Sequence, residues 1–356
     1  MPRKPYPTPW VIQPAEKHTH TIIALHGRGS NAERFGHELL ASANLQARLP
    51  TVRFVFPTAS KRRSRILKRI PINQWFDNYS LDNPGQRTDL QVEGLSETAG
   101  FIRSLITAEA RILDENYGKV ILWGLSQGCA ASIFTILGGW AENNEAKILG
   151  AFVGMSGWLP FEQQLHEILR CNENMSPASE NHKEVTSEDD SDTEDDTVTE
   201  SDEESEAPAD SYSEPSIDDD PFKQISPSDY DFNPFQEDGQ EAPVVIQAIN
   251  HIRDILDLPM ITTDELLLDY SQTATSLCHL RIPVFIGHGS DDPKVSARLG
   301  EKMSHVLSTG LGMSAKWKEY PGLGHWYRPE DEIEDILSFL QAQIDLPVEP
   351  RSPSSH

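Results

Sequence analysis

The sequence predicts an α/β protein: a mostly parallel central sheet flanked by helices and interrupted by one long acidic insert. Three observations predict it. Short apolar runs alternate with longer helix-period patterns on both sides of a gap, as βα units feeding a parallel sheet do. A glycine-bounded turn, Gly124-Leu-Ser126-Gln-Gly128, joins one such run to a helical pattern. Charge, finally, is concentrated: residues 173–241 carry 25 of the 56 Asp and Glu, against only Lys183 and Lys223, so this segment holds nearly all of the formal charge of −26. Residues 1–172 and 242–346 therefore read as two parts of one domain, 173–241 as a disordered insert too poor in apolar groups to offset its ordering entropy, and 347–356 as a flexible tail. The near-neutral remainder disfavours a nucleic-acid-binding face.

Each element has a local reason. The runs at 21–26, 52–57, 119–123 and 151–156 are apolar and rich in β-branched or aromatic residues, which suits buried strands. Residues 89–113 space Leu90, Leu95, Ala99, Ile102, Ile106 and Leu113 at helical steps, giving an amphipathic crossover helix. Between the second strand and that helix, 61–69 holds six basic residues and reads as a solvated hairpin. After the insert, 243–268 turns apolar again and suggests one or two helices. Strand, helix, strand and helix then follow at 282–287, 295–307, 315–320 and 331–344. The last helix places Ile333, Ile336, Leu337, Leu340 and Ile344 on one stripe, and Glu330, Asp331 and Glu332 at the positive end of its dipole.

Cys129, Cys171 and Cys278 are widely spaced and odd in number, which argues for reduced thiols rather than a disulfide framework. No apolar segment follows the basic N-terminal residues, and the most apolar stretch, 130–140, is about half of the ~20 residues a membrane span needs. The expectation is a cytoplasmic protein.

The turn around Ser126 has the strand-turn-helix context of a nucleophile elbow, in which the glycines let the backbone turn sharply while the serine projects above the sheet. A bare GxSxG arises by chance in roughly one chain in ten of this composition, so its flanks carry the signal. A serine hydroxyl needs a base to take its proton and a carboxylate to orient that base. Asp292, in Gly287-His-Gly-Ser-Asp-Asp-Pro-Lys-Val295, and His325, in Tyr320-Pro-Gly-Leu-Gly-His-Trp326, follow later strands in the order Ser, Asp, His. The loop Leu25-His-Gly-Arg-Gly-Ser-Asn31 after the first strand is glycine-bearing. It can aim the Arg28 backbone N–H at an oxyanion, with the Gln127 N–H as the second donor. His26 and His288 read as loop-holding residues. Neither HExxH, GxxxxGK[ST] nor a strand-linked GxGxxG occurs, so no metal and no cofactor is expected.

These motifs, together with Phe56-Pro-Thr, Gln74-Trp-Phe-Asp77 and Met155-Ser-Gly-Trp-Leu-Pro160, resemble the acyl-protein thioesterase, or phospholipase/carboxylesterase, family of the α/β-hydrolase superfamily. The resemblance covers residues 21–161 and 280–344. It implies an α/β-hydrolase fold and a Ser126–His325–Asp292 triad, with Asp291 as the fallback carboxylate. It further implies backbone donors at Arg28 and Gln127, and Trp75 packing on substrate. The implied reaction is hydrolysis of acyl thioesters or esters through an acyl-enzyme, on an acylated protein, a lysophospholipid or a small ester. A small-molecule carboxylesterase without a protein substrate, or an interaction protein working through its acidic insert, are the alternatives. The basic stretch 61–69 lies near the expected site entrance, where it suits peripheral contact with an anionic membrane or with the insert itself.

Overall fold

Seven strands form the central sheet of the computed structural model, which describes residues 6–141, 147–170, 242–262 and 277–351. They are β1 (Trp10–Ile12), β2 (His20–Leu25), β3 (Val52–Phe56), β6 (Val120–Leu125), β7 (Ala151–Met155), β8 (Val284–Gly289) and β9 (Ala315–Tyr320). Their order across the sheet is β1-β3-β2-β6-β7-β8-β9. Every pairing is parallel except that of β1 with β3. A separate antiparallel hairpin, β4 (Lys61–Ser64) with β5 (Ile70–Asn73), stands outside it. The acidic segment 173–241, the part of 243–268 beyond residue 262, and the end of the tail lie outside the described residues.

Because successive side chains of a strand point to opposite faces, each central strand feeds two cores. Ile23, Leu25, Val120 and Leu122 face one side. There they pack with Leu95, Ile102 and Ile106 of α3 (Val92–Ile112), Ile133 of α4 (Gln127–Gly138), and Ile249 and Ile252 of α6 (Val244–Ile255). Ile22, Ala24, Ile121 and Trp123 face the other, against Phe35 and Leu39 of α1 (Ala32–Ser42) and the expected stripe of α8 (Glu332–Ile344). This two-sided cover is why the strands read as continuous apolar runs.

Where the structure departs from the sequence reading, the causes are local. β8 starts at Val284 because Pro283 has no N–H for the ladder, although its carbonyl accepts from Phe152 N at 3.0 Å. The helix expected at 295–307 is α7 (Ala297–His305), continued by a wider turn, Val306–Gly310, that ends before the left-handed Gly312. Four elements were not anticipated: β1, α1, the short α2 (Leu45–Arg48) and α5 (Glu162–Arg170). For α1 the signal exists, since Asn31 caps the Arg34 N–H at 2.9 Å and Ala32, Phe35, Gly36, Leu39 and Leu40 keep a helical period.

Glu332, expected to complement the α8 dipole, stands at the first helical position, yet it is 0% exposed and, among the described residues, neither carboxyl oxygen makes a well-formed hydrogen bond. Burial raises its pKa to about 8; Asp331 and Asp335 push the same way, and the Arg328 backbone and side chain only partly offset them. The unfolded chain releases this proton near pH 4, so the group costs stability as pH rises from about 4 to 8. Glu332→Gln should accordingly gain about 2–4 kcal/mol over the parent at pH 8.5 and little at pH 5 in urea unfolding. Equal gains at both pH values would contradict a neutral buried carboxyl.

Candidate active site

The turn from β6 into α4 forces Ser126 to φ 55°, ψ −119°, a conformation rare for a residue with a side chain. Two glycines make room for it. A Cβ on Gly124 would lie 2.5 Å from Cys129 N, and one on Gly128 would drive into the Leu25 carbonyl. The Ser126 N–H donates to Met155 O at 2.8 Å, tying the turn to β7. The hydroxyl therefore stands at the carboxyl end of the parallel strands, where open α/β sheets place ligands.

Asp292 and His325 meet at the same end. His325 Nδ1 lies 2.7 Å from Asp292 Oδ2. The other carboxylate oxygen accepts from Lys294 N at 2.8 Å and Val295 N at 3.0 Å. His288 Nε2 also approaches Asp292 Oδ2, at 3.2 Å, and the Val295 carbonyl at 2.8 Å. Burial alone would raise the Asp292 pKa, but the hydrogen bonds from His288, His325 and Val295 outweigh it and hold the carboxyl well below the usual range. Asp291 points elsewhere: it is exposed and accepts from Ser290 Oγ at 2.7 Å. With Nδ1 on Asp292, His325 has Nε2 left for the cleft it shares with Ser126. Ser126 and His325 are not hydrogen-bonded to each other here; such contacts commonly tighten only with substrate bound.

The cleft, about 210 Å³, is bordered by Gly27, Arg28, Ser126, Gln127, Trp158, His325 and Trp326 among others. That volume is below the usual range for ligand sites. Gly27 lies against the serine, since a Cβ there would sit 3.9 Å from Ser126 Oγ. On the same loop Gly29 N–H donates to Asn73 O at 2.7 Å and Ser30 N–H to Gly27 O at 3.2 Å. Among the described residues no hydrogen-bond acceptor is found for the N–H of Arg28 or of Gln127.

Trp75, expected to pack on substrate, is instead fully enclosed and absent from the cleft lining. Its Nε1 donates to His26 O at 2.8 Å, and its own N–H donates to Gln127 Oε1 at 3.0 Å, so it acts on the cleft through the backbone it pins. His26 completes that support. Its Nδ1 faces Gly27 O at 2.7 Å, its Nε2 accepts from Ala59 N at 3.1 Å, and burial lowers its pKa to about 4, which keeps it neutral. Two features escaped the sequence reading. His288 touches the carboxylate as well as its loop, signalled only by its position four residues before Asp292; Trp158 borders the cleft, signalled by its place just after β7.

Strand order, elbow and the carboxylate-bearing loops together define an α/β-hydrolase. The chain belongs to the phospholipase/carboxylesterase family, whose profile matches residues 7–184 and 266–344. It is 33% identical over 161 residues to acyl-protein thioesterase 1 of Yarrowia lipolytica, across 45% of this chain and 66% of that protein. It is 30% identical over 160 residues to the Cryptococcus neoformans acyl-protein thioesterase 1, across 44% and 62%. The match thus spans slightly under two thirds of these relatives. Among solved structures, acyl-protein thioesterase 2 of Zea mays superposes with a TM-score of 0.55 at 19% identity, covering 95% of this chain and all of that one, a likeness of fold.

Proposed function

We propose that the protein is a serine hydrolase of acyl thioesters or carboxylic esters. The observation that carries this reading is the meeting of the strained Ser126 elbow with the His325–Asp292 pair, 2.7 Å apart, around one cleft. Ser126 Oγ attacks the acyl carbonyl as His325 Nε2 takes its proton. The Arg28 and Gln127 N–H groups stabilise the oxyanion. The tetrahedral adduct expels the thiol or alcohol, which leaves with that proton. Water, deprotonated by His325, then releases the carboxylic acid and restores Ser126. Acylated proteins, lysophospholipids and small esters are all substrates of this chemistry. Comparing kcat/KM on a palmitoylated peptide and a short-chain aryl ester separates a thioesterase from a small-molecule carboxylesterase. Failure of purified protein to react with a fluorophosphonate and with either substrate would reject the serine-hydrolase reading.

The hairpin supports membrane contact. Arg63, Arg65, Lys68 and Arg69 are exposed, and beside them in the hairpin are Leu67, 40% exposed, and Ile70, 58% exposed. Cations around an apolar tip suit an anionic lipid surface, at about 1 kcal/mol per basic residue. Lys68→Ser and Arg69→Ser should each weaken binding to phosphatidylserine vesicles about fivefold at low salt. Both effects should shrink at 0.5 M salt through screening. Unchanged co-sedimentation at low salt would remove the hairpin from that role.

A further inference from the structure

The cleft beside Ser126 is bordered by the side chains of Arg28 and Lys294 and, among the described residues, by no Asp or Glu. Among the described residues neither cation is ion-paired. Burial depresses the Arg28 pKa, with only Asp77 opposing it. Asp77 is itself engaged, its Oδ1 accepting from Arg65 N, Gln74 Nε2 and Asn78 N.

Three side chains bordering the cleft carry buried polar atoms without a hydrogen-bond partner: Arg28 Nη1, Ser30 Oγ and Trp158 Nε1. Leaving a buried donor unpaired costs free energy, more so on a charged group. The three residues border one small cavity, so a ligand seated there has unspent hydrogen-bonding capacity beside it. The position is also specific. Arg28 follows Gly27, which lies against the serine, and Lys294 stands two residues after the carboxylate that holds His325. Charge placed there meets substrate close to the bond that breaks, and a planar guanidinium suits carboxylate or phosphate oxygens.

We infer that the cleft selects esters that carry a carboxylate or phosphate a few bonds from the scissile carbonyl, with Arg28 and Lys294 as specificity-determining residues; this rests on the serine-hydrolase reading. The anion belongs to the acyl part or to the leaving alcohol, and paired substrates tell which. An aryl hemiglutarate is compared with its methyl ester, and 1-butyrylglycerol 3-phosphate with 1-butyrylglycerol. The parent should favour the anionic member of one pair by about tenfold or more in kcat/KM. That ratio should fall toward one in Arg28→Met with Lys294→Met, fall as salt rises, and invert in Arg28→Glu with Lys294→Glu. Because each ratio is internal to one variant, any loss of overall rate cancels. Hydrolysis of both members at equal rates, or a preference that survives the double substitution, overturns the inference while leaving the esterase reading intact. Hydrolysis of no member of either pair overturns both.

Discussion

Ser126→Ala should abolish ester hydrolysis, lowering kcat by about a millionfold, and should erase fluorophosphonate labelling. The substitution is clean. Alanine keeps the Cβ that Ser126 already carries at φ 55°, so it adds no backbone strain, and the Ser126 N–H bond to Met155 O is untouched. Thermal unfolding should therefore match that of the parent. Retained labelling would place the nucleophile elsewhere. A collapse in stability would mean that the hydroxyl serves the fold.

Asp292→Asn should lower kcat/KM by about 10³–10⁴-fold while leaving the protein folded. An amide in place of the carboxylate can turn an N–H toward His325 Nδ1, favouring the imidazole tautomer that protonates Nε2 and so cannot take the serine proton. His288 approaches the same atom as His325, so the amide N–H group faces both rings, while the amide oxygen keeps the Lys294 and Val295 N–H groups but not the lost charge. Labelling should slow rather than vanish, because Ser126 and its elbow remain. A drop of less than tenfold would assign the orienting role to another group. The carboxylate also leaves a mark on acid stability. Its folded pKa lies below the unfolded value, so its contribution is present above about pH 4 and is lost as pH falls further. The stability gap between parent and Asp292→Asn should accordingly be constant from pH 6 to 8 and close below pH 4.

Much of this fold was legible because each central strand is buried on both faces, which leaves an unbroken apolar run such as Thr21-Ile-Ile-Ala-Leu25. The core stripe of α8 was equally plain. β1 was not, being three half-buried residues on a sheet edge, too short for any period to register. The β4–β5 turn lacks the glycine that left-handed turns favour; it places Lys68 at φ 49° and Arg69 at φ 68°, where composition gives no warning. In the site, residue order pointed to Ser126, Asp292 and His325. Sequence could not rank an enclosed Trp75 against a cleft-bordering Trp158, since both follow strands and both look like core. Nor could it show that Glu332, one acid in an exposed-looking run of three, is sealed beneath α8.

The bond from Gly29 N–H to Asn73 O, with that from Asn73 Nδ2 to Ser30 O at 2.8 Å, fastens the last residue of β5 to the loop that carries Arg28. The arm that reaches outward and the loop beside Ser126 are therefore one mechanical piece. Anything that steadies the hairpin steadies the backbone on either side of Arg28. If the hairpin docks on a lipid surface as proposed, thermodynamic reciprocity requires that a ligand in the cleft change that docking by the same factor by which the surface changes the ligand's binding. Residence at an interface and occupancy of the site then become two readings of a single equilibrium.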